Sequence, residues 1–252
     1  MNKKLKVMST KQIETKYSII RTLFAIAIAL FIAFLLMATV SDNVLKDFTT
    51  LLIGPLANKS RMTSVISKMI PLLFTGVAVC LVYSAGQINI AAEGAFFAGA
   101  VAATCVAIIQ GIPAPIHIIL ALLAGAVTGA IVMGIPAVMH VKFDVVTIVA
   151  ALMMNYVALF GGLYIILNPL RDPQAGFEAS YPFAKSAVLP RVFGNERIHI
   201  GLILGFAIVV FVSVLLYNRP FGYSIRTIGQ NKKFAVYSGI DVNKTIVLTS
   251  LL

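Results

Sequence analysis

The stretch Gly86-Gln87-Ile88-Asn89-Ile90-Ala91-Ala92-Glu93-Gly94 puts three polar side chains, Gln87, Asn89 and Glu93, between two apolar runs with almost no loop between them. The flanking runs, 67–84 and 90–109, are each about the length that crosses a bilayer as a helix. A carboxylate deep in lipid costs at least about 2.5–3.5 kcal/mol. Glu93 is therefore expected to face protein, a polar cavity or the interface. Two local shapes are open. As helix, Asn89 and Glu93 stand at i and i+4 and share a face. As an extended break, Gln87, Asn89, Ala91 and Glu93 alternate onto one side. Broken helices at membrane depth are tolerated where they line a cavity, which points to a transport path. The plainer alternative is a cytoplasmic turn capped by polar side chains.

The rest of the chain supports the membrane setting. Of 252 residues, 60% are hydrophobic and only 12% charged, about half the charged share of ordinary soluble domains. The mean hydropathy is +0.97. A compact soluble fold of this size needs a more polar skin, so a soluble enzyme, a disordered tail and a disulfide scaffold are all excluded. The 20 Lys and Arg against 9 Asp and Glu give a net charge of +11. These basic residues gather at the ends of apolar runs, where they set orientation and meet anionic lipid head groups. No basic stripe with interleaved aromatics suggests nucleic acid. Cys80 and Cys105 lie inside apolar runs and read as small core residues rather than a disulfide.

Six candidate spans emerge at 23–40, 67–84, 90–109, 116–139, 145–166 and 198–217. The first follows Lys3, Lys4, Lys6, Lys11, Lys16 and Arg21 and has no small-x-small cleavage site, so it reads as a retained helix after a basic cytoplasmic N-terminus, residues 1–22. Short links near 110–115 and 140–144 make their flanking helices antiparallel neighbours. Ala121, Gly125 and Gly129, four residues apart, allow close helix packing. The stretches 41–66 and 171–197 read as loops, the second carrying Pro173, Pro182 and Pro190 and suited to the outside. Six crossings return the chain to the cytoplasm at Asn218, where residues 218–244 hold Arg219, Arg226, Lys232, Lys233 and Lys244 against a single acid, Asp241. Residues 245–252 begin another apolar run of about 12 Å against a core of about 30 Å. The expected fold is thus an all-α polytopic transmembrane bundle, a single domain over residues 1–252 of about six spans plus the start of a seventh, truncated at its C-terminus.

Two further features invite function. Asn155, at the eleventh position of the 22-residue run 145–166, falls near the bilayer midplane with Tyr156 beside it. Its amide serves either as interhelical glue or as pathway lining. In the cytoplasmic segment, Asn231 can cap a short helix and Gly239 can close it in a left-handed turn. That helix would present Phe234, Ala235 and Tyr237. A helix so short is marginal alone, which suits docking on a partner; an ordinary interfacial amphipathic segment is the alternative.

On these residues the chain resembles the permease subunits of ABC importers in the branched-chain amino acid and sugar class, closest to the nucleoside and simple-sugar subgroup. The subgroup's Asn-Ile-Gly-x-Glu-Gly-Gln is approximated by Asn89-Ile90-Ala91-Ala92-Glu93-Gly94-Ala95, and its Met-Leu-Asn-Tyr by Met153-Met154-Asn155-Tyr156. Its Arg-Ala-x-Gly-x-Asn, continuing to a Gly-Ile pair, is similar to Arg226-Thr227-Ile228-Gly229-Gln230-Asn231 with Gly239-Ile240. Ala91, Ala95, Thr227 and Phe234 depart from the pattern. The resemblance implies a substrate pathway at Gln87, Asn89, Glu93, Asn155 and Tyr156. It also implies an ATPase-coupling helix involving Arg226, Gly229, Asn231, Ala235 and Gly239. The implied partners are an ATP-binding subunit, a second permease subunit, an extracellular or periplasmic solute-binding protein and plasma-membrane lipids.

The chain itself is expected to bind no cofactor, ATP being used by the partner. No Gly-x-x-x-x-Gly-Lys-Ser/Thr loop is present. Gly54-Pro55-Leu56-Ala57-Asn58-Lys59-Ser60 fails because Asn58 stands where glycine is required. His117, His140 and His199 have no metal-ligand spacing, and no clustered acids and histidines suggest an intramembrane enzyme. The expected function is a nucleoside permease without its own ATPase site. The alternatives are a permease for a simple sugar such as ribose, or a gradient-driven secondary transporter with Glu93 as its ion or proton site.

Overall fold

The computed structural model describes residues 10–192 and 198–252. The basic residues Lys3, Lys4 and Lys6, and residues 193–197 of the expected 171–197 loop, lie outside the described residues. Among the described residues the regular structure is helical: α1 (Thr10–Val40), α2 (Val44–Ala57), α3 (Lys59–Ser84), α4 (Ala92–Ala107), α5 (Ala114–Phe143), α6 (Thr147–Leu167), α7 (Gly201–Asn218), α8 (Pro220–Gln230), α9 (Lys232–Tyr237) and α10 (Val242–Leu251). Five are long and apolar enough to cross a membrane, over Tyr17–Val40, Lys59–Ser84, Ala114–Phe143, Thr147–Leu167 and Gly201–Asn218.

The expected third span is the exception. It forms only the 16-residue α4, about 24 Å at 1.5 Å per residue against a core of about 30 Å. It is shorter than expected by two residues at each end, 90–91 and 108–109 being non-helical. The expected loop at 41–66 is corrected more strongly, because 44–57 is helical and α3 has begun by Lys59. Lys46, Asp47 and Pro55 interrupt this apolar run and keep it below spanning length. Asp47 sits in the first turn of α2, where the helix dipole favours a carboxylate, and it accepts a hydrogen bond from the Ser41 hydroxyl.

The chain divides into two compact units, residues 1–65 and 66–252. In the first, Phe34 of α1 meets Phe48 of α2 edge to face at 5.3 Å. In the second, α4 packs against α5 and α6, while α10 packs against α5. Close approach of α4 and α5 rests on Gly99 and Gly125: a Cβ on Gly99 would stand 2.9 Å from the Gly125 carbonyl oxygen. The expected packing role of Gly125 is met there. The centre of this unit is Val82, Ala91, Ala95, Val132, Met133, Ala151 and Ala158.

Large apolar side chains remain exposed along the long helices, Phe160 and Val210 among them. In lipid this carries no penalty, since the surrounding tails are as apolar as the side chains. The same reasoning corrects the cysteines. Cys80 and Cys105 are free thiols on exposed helix faces, not core residues; an apolar run in a membrane chain does not imply an interior position.

His117, fully buried at the start of α5, ties the 171–192 stretch to the end of α4. Its Nε2 lies 2.8 Å from the Val106 carbonyl oxygen and its Nδ1 2.8 Å from Ser186 Oγ. A carbonyl only accepts, so Nε2 carries the proton and Nδ1 accepts from the hydroxyl. The Ala184 N–H adds a bond to the Ala107 carbonyl at 2.9 Å. His117→Phe should cost about 1–3 kcal/mol locally by stranding these groups. Faster nicking of residues 171–192 in limited proteolysis is the expected readout, and an unchanged rate would show the tether to be idle.

Candidate functional site

Between α3 and α4 the chain leaves the helix at Gly86, whose φ of 69° suits glycine, and residues Gln87–Ile90 run without helical structure. Neither shape is formed as a whole: residues 87–90 are non-helical, Glu93 already lies in the first turn of α4, and Gln87, Asn89 and Glu93 do not share one side. Buried polar groups around the break find partners, as burial requires. Asn89 is fully buried; its Nδ2 donates to the Met133 carbonyl at 3.0 Å and its Oδ1 accepts from the Ala91 N–H at 3.1 Å. Asn155 on α6 donates Nδ2 to the Ile90 carbonyl at 3.0 Å and accepts the Gly94 N–H on Oδ1 at 2.9 Å. Thr147 Oγ1 donates to Gln87 Oε1 at 3.3 Å. The first residue before α4, Ala91, provides no side-chain cap. Asn155 therefore caps α4 from another helix, satisfying one of the orphan donors a helix start leaves.

Beside this clasp lies a cavity of about 370 Å³ lined by Glu93, Gly94, Phe96, Phe97, Leu152, Asn155, Tyr156 and Leu159. That volume falls in the range of small-molecule sites, roughly 300–1,000 Å³. Glu93 stands in the first turn of α4, where the dipole favours its charge, and it makes no hydrogen bond or ion pair among the described residues. Tyr156 is 61% exposed and stacks on Phe160 with centroids 6.3 Å apart and an interplanar angle of 17°.

Of the five expected pathway residues, Glu93, Asn155 and Tyr156 are brought together. Gln87 lines a different hollow with His140, Asp144 and Thr147. Asn89 lies outside that cavity: it is fully buried in this structure, and its amide bonds backbone groups. Phe96, Phe97, Leu152 and Leu159 are lining residues that the sequence reading does not single out; nothing distinguishes them there from other apolar positions on a spanning helix.

The second assembly is α8–α9–α10. The sequence reading leaves residues 220–230 without a helix, whereas they form α8, which buries Ile225 and Ile228. Asn231 caps α9 as expected, accepting the Phe234 N–H at 3.0 Å. Gly239 follows with a φ of 79°, the left-handed turn anticipated for it. Ala235 requires correction. It is 0% exposed and packs with Ala137, Ile228, Val242 and Ile246, so it anchors α9. The outward set is Phe234, Val236 and Tyr237, the last 90% exposed. The Arg226 guanidinium carbon lies 5.2 Å from the centroid of the Tyr217 ring, within cation–π range, and its buried Nε has no hydrogen-bond partner among the described residues.

These two assemblies touch through glycine backbone. A Cβ built on Gly229 would stand 2.2 Å from the Ser84 carbonyl oxygen and 3.2 Å from the Gly86 nitrogen; one on Gly86 would stand 3.2 Å from Gly229 Cα. The end of α8 is thus seated directly on the start of the break.

Comparison with known proteins agrees with this architecture. A family described as the branched-chain amino acid transport system / permease component matches residues 61–252. The guanosine ABC transporter permease NupP of Bacillus subtilis is 29% identical over 232 residues, covering 91% of this chain and 67% of NupP. The glucose ABC transporter permease TsgB13 of Haloferax volcanii is 29% identical over 215 residues, 81% of this chain and 57% of that one. The nucleoside ABC transporter permease NupB of Lactococcus lactis is 22% identical over 240 residues, 91% of this chain and 66% of NupB. The chain therefore spans about three-fifths to two-thirds of the length of these three relatives. No solved structure matches. With apolar helices of spanning length and a family match over three-quarters of its residues, this chain belongs to the multi-pass membrane permeases of the branched-chain amino acid transport class, which are transport subunits rather than enzymes.

Proposed function

We propose that the chain forms the translocation path of an ABC importer for nucleosides and is driven by a separate ATP-binding subunit docked on α8–α9. The observation that carries this reading is the seating of Gly229 on Ser84–Gly86. It joins the segment available for docking to the break that shapes the Glu93 cavity. In this reading the N-terminus and residues 218–244 are cytoplasmic, a solute-binding protein delivers substrate on the opposite side, a second permease subunit completes the path, and lipid covers the outer helix faces. Phe234, Val236 and Tyr237 form the apolar part of the docking face, with Lys232 and Lys233 beside them. ATP is bound and consumed by the partner, and no cofactor is held here. The similarity to a glucose permease keeps a simple sugar such as ribose as the second reading.

Reconstitution of the full-length permease with its ATP-binding subunit and binding protein tests the proposal. Labelled nucleoside should accumulate only with ATP. Accumulation driven by an ion gradient without ATP would instead make this a secondary transporter with Glu93 as its ion site. Uptake of ribose but not nucleoside would select the sugar reading.

The turn after α9 supplies a sharper variant. No atom lies within 4 Å of a Cβ built on Gly239, so Gly239→Val acts through its left-handed backbone alone, at about 1–2 kcal/mol. Membrane insertion should be normal while transport per ATP hydrolysed falls several-fold. Unchanged uptake would remove this turn from coupling.

A further inference from the structure

We propose that the α4–α6 cavity divides recognition between two side chains: the Glu93 carboxylate takes the sugar hydroxyls, and the Tyr156 ring takes the planar base. This rests on the permease reading above and adds how the cavity selects among solutes. The polar groups of the lining are unequal. Asn155 spends its Oδ1 on the Gly94 N–H and one Nδ2 hydrogen on the Ile90 carbonyl. Glu93 has no partner among the described residues. An ionised carboxylate only accepts, over two oxygens, which matches a vicinal diol offering two hydroxyl donors side by side. Hydrogen bonds to a charged acceptor are the stronger kind.

The other walls, Phe96, Phe97, Leu152 and Leu159, are apolar. Tyr156 is held flat against Phe160. An exposed, oriented aromatic beside an acceptor fits a ligand with one planar apolar face and one hydroxylated end. Base stacking of this kind is tolerant of which base is present. The same carboxylate repels a phosphate, so the cavity favours nucleosides over nucleotides.

The test reads cavity occupancy directly. Leu152→Cys, in a Cys80→Ser, Cys105→Ser background of the full-length permease–ATPase complex, puts a thiol in the lining. Its maleimide labelling is followed with a purine ribonucleoside, the 2′,3′-dideoxy analogue, the 5′-monophosphate and ribose. The ribonucleoside should protect, with the dideoxy analogue needing about tenfold more for the same protection and the monophosphate protecting less still. Glu93→Gln should bring the ribonucleoside and its dideoxy analogue together. Tyr156→Leu should weaken the ribonucleoside about tenfold without changing its ratio to the dideoxy analogue, and Tyr156→Phe should restore it.

Equal protection by the dideoxy analogue in the parent protein, an unchanged ratio in Glu93→Gln, or failure of Tyr156→Phe to restore protection would overturn the division. ATP-driven nucleoside uptake without protection of the thiol would sink this assignment and leave the permease reading standing. Absence of nucleoside uptake would sink both.

Discussion

Gly229→Ala is expected to lower ATP-driven uptake by at least about tenfold. The added Cβ falls 2.2 Å from the Ser84 carbonyl oxygen and 3.1 Å from its carbon. Contact distances between carbon atoms are about 3.5–4.0 Å, so the methyl overlaps backbone by roughly 1 Å, and backbone cannot rotate away as a side chain can. Either the end of α8 lifts from the break or residues 84–86 are pushed toward the Gln87–Ile90 segment. In both cases the docking segment and the Glu93 cavity lose their shared register. The permease should still insert and still retain its ATP-binding subunit, because the methyl meets Ser84 and Gly86, while Phe234, Val236 and Tyr237 are exposed. ATP hydrolysis should then continue with little transport. Gly76→Ala on α3, where a Cβ meets nothing within 4 Å, serves as the control and should transport normally. Normal uptake in Gly229→Ala, or loss of uptake strictly in proportion to loss of assembled complex, would remove the glycine seam from coupling.

This seam illustrates what a sequence of this kind conceals. The spanning helices are legible because each carries an uninterrupted apolar window, and the single enveloping requirement, that backbone polar groups be paired inside lipid, makes helix the only solution. Asn231 and Gly239 are legible too, since capping and left-handed turns are local chemistry. Contacts made across the chain are not. Asn89 meets the carbonyl of Met133 and Asn155 that of Ile90, 44 and 65 residues away. Polarity within an apolar run marks both asparagines as consequential but does not say whether they face a solute or a backbone. Helix α8 does carry an apolar stripe, Phe221, Ile225 and Ile228 at helical spacing, but Pro220, Gly222 and Gly229 are poor helix formers and obscure it. Ala235 is misread because a buried anchor and a docking residue look alike when both are small. In a membrane chain, too, the usual equation of apolar with interior fails, as Cys80 and Cys105 show.

Asn155→Leu is the second variant expected to have a large effect, and it separates the two roles a midplane amide can play. Leucine preserves most of the side chain's volume but returns neither the bond to the Ile90 carbonyl nor the one to the Gly94 N–H. Interhelical hydrogen bonds in membranes are worth about 0.6 kcal/mol on average and up to about 1.7, and a stranded buried group costs about 1–3 kcal/mol. A combined loss of roughly 2–4 kcal/mol should lower the midpoint of thermal unfolding in detergent by roughly 4–16 °C for a chain of this size. Uptake should fall in step with the folded fraction. Asn89→Leu should be at least as damaging, because that amide is fully buried and also makes two bonds. Glu93→Gln should behave oppositely, leaving the midpoint nearly unchanged, since Glu93 has no partner to lose among the described residues. An Asn155→Leu protein with a normal midpoint and no uptake would make the amide a solute ligand. A large drop in midpoint makes it the clasp that holds the non-helical break beside a cavity, so that the Glu93 carboxylate, unpaired among the described residues, faces the solute rather than the protein.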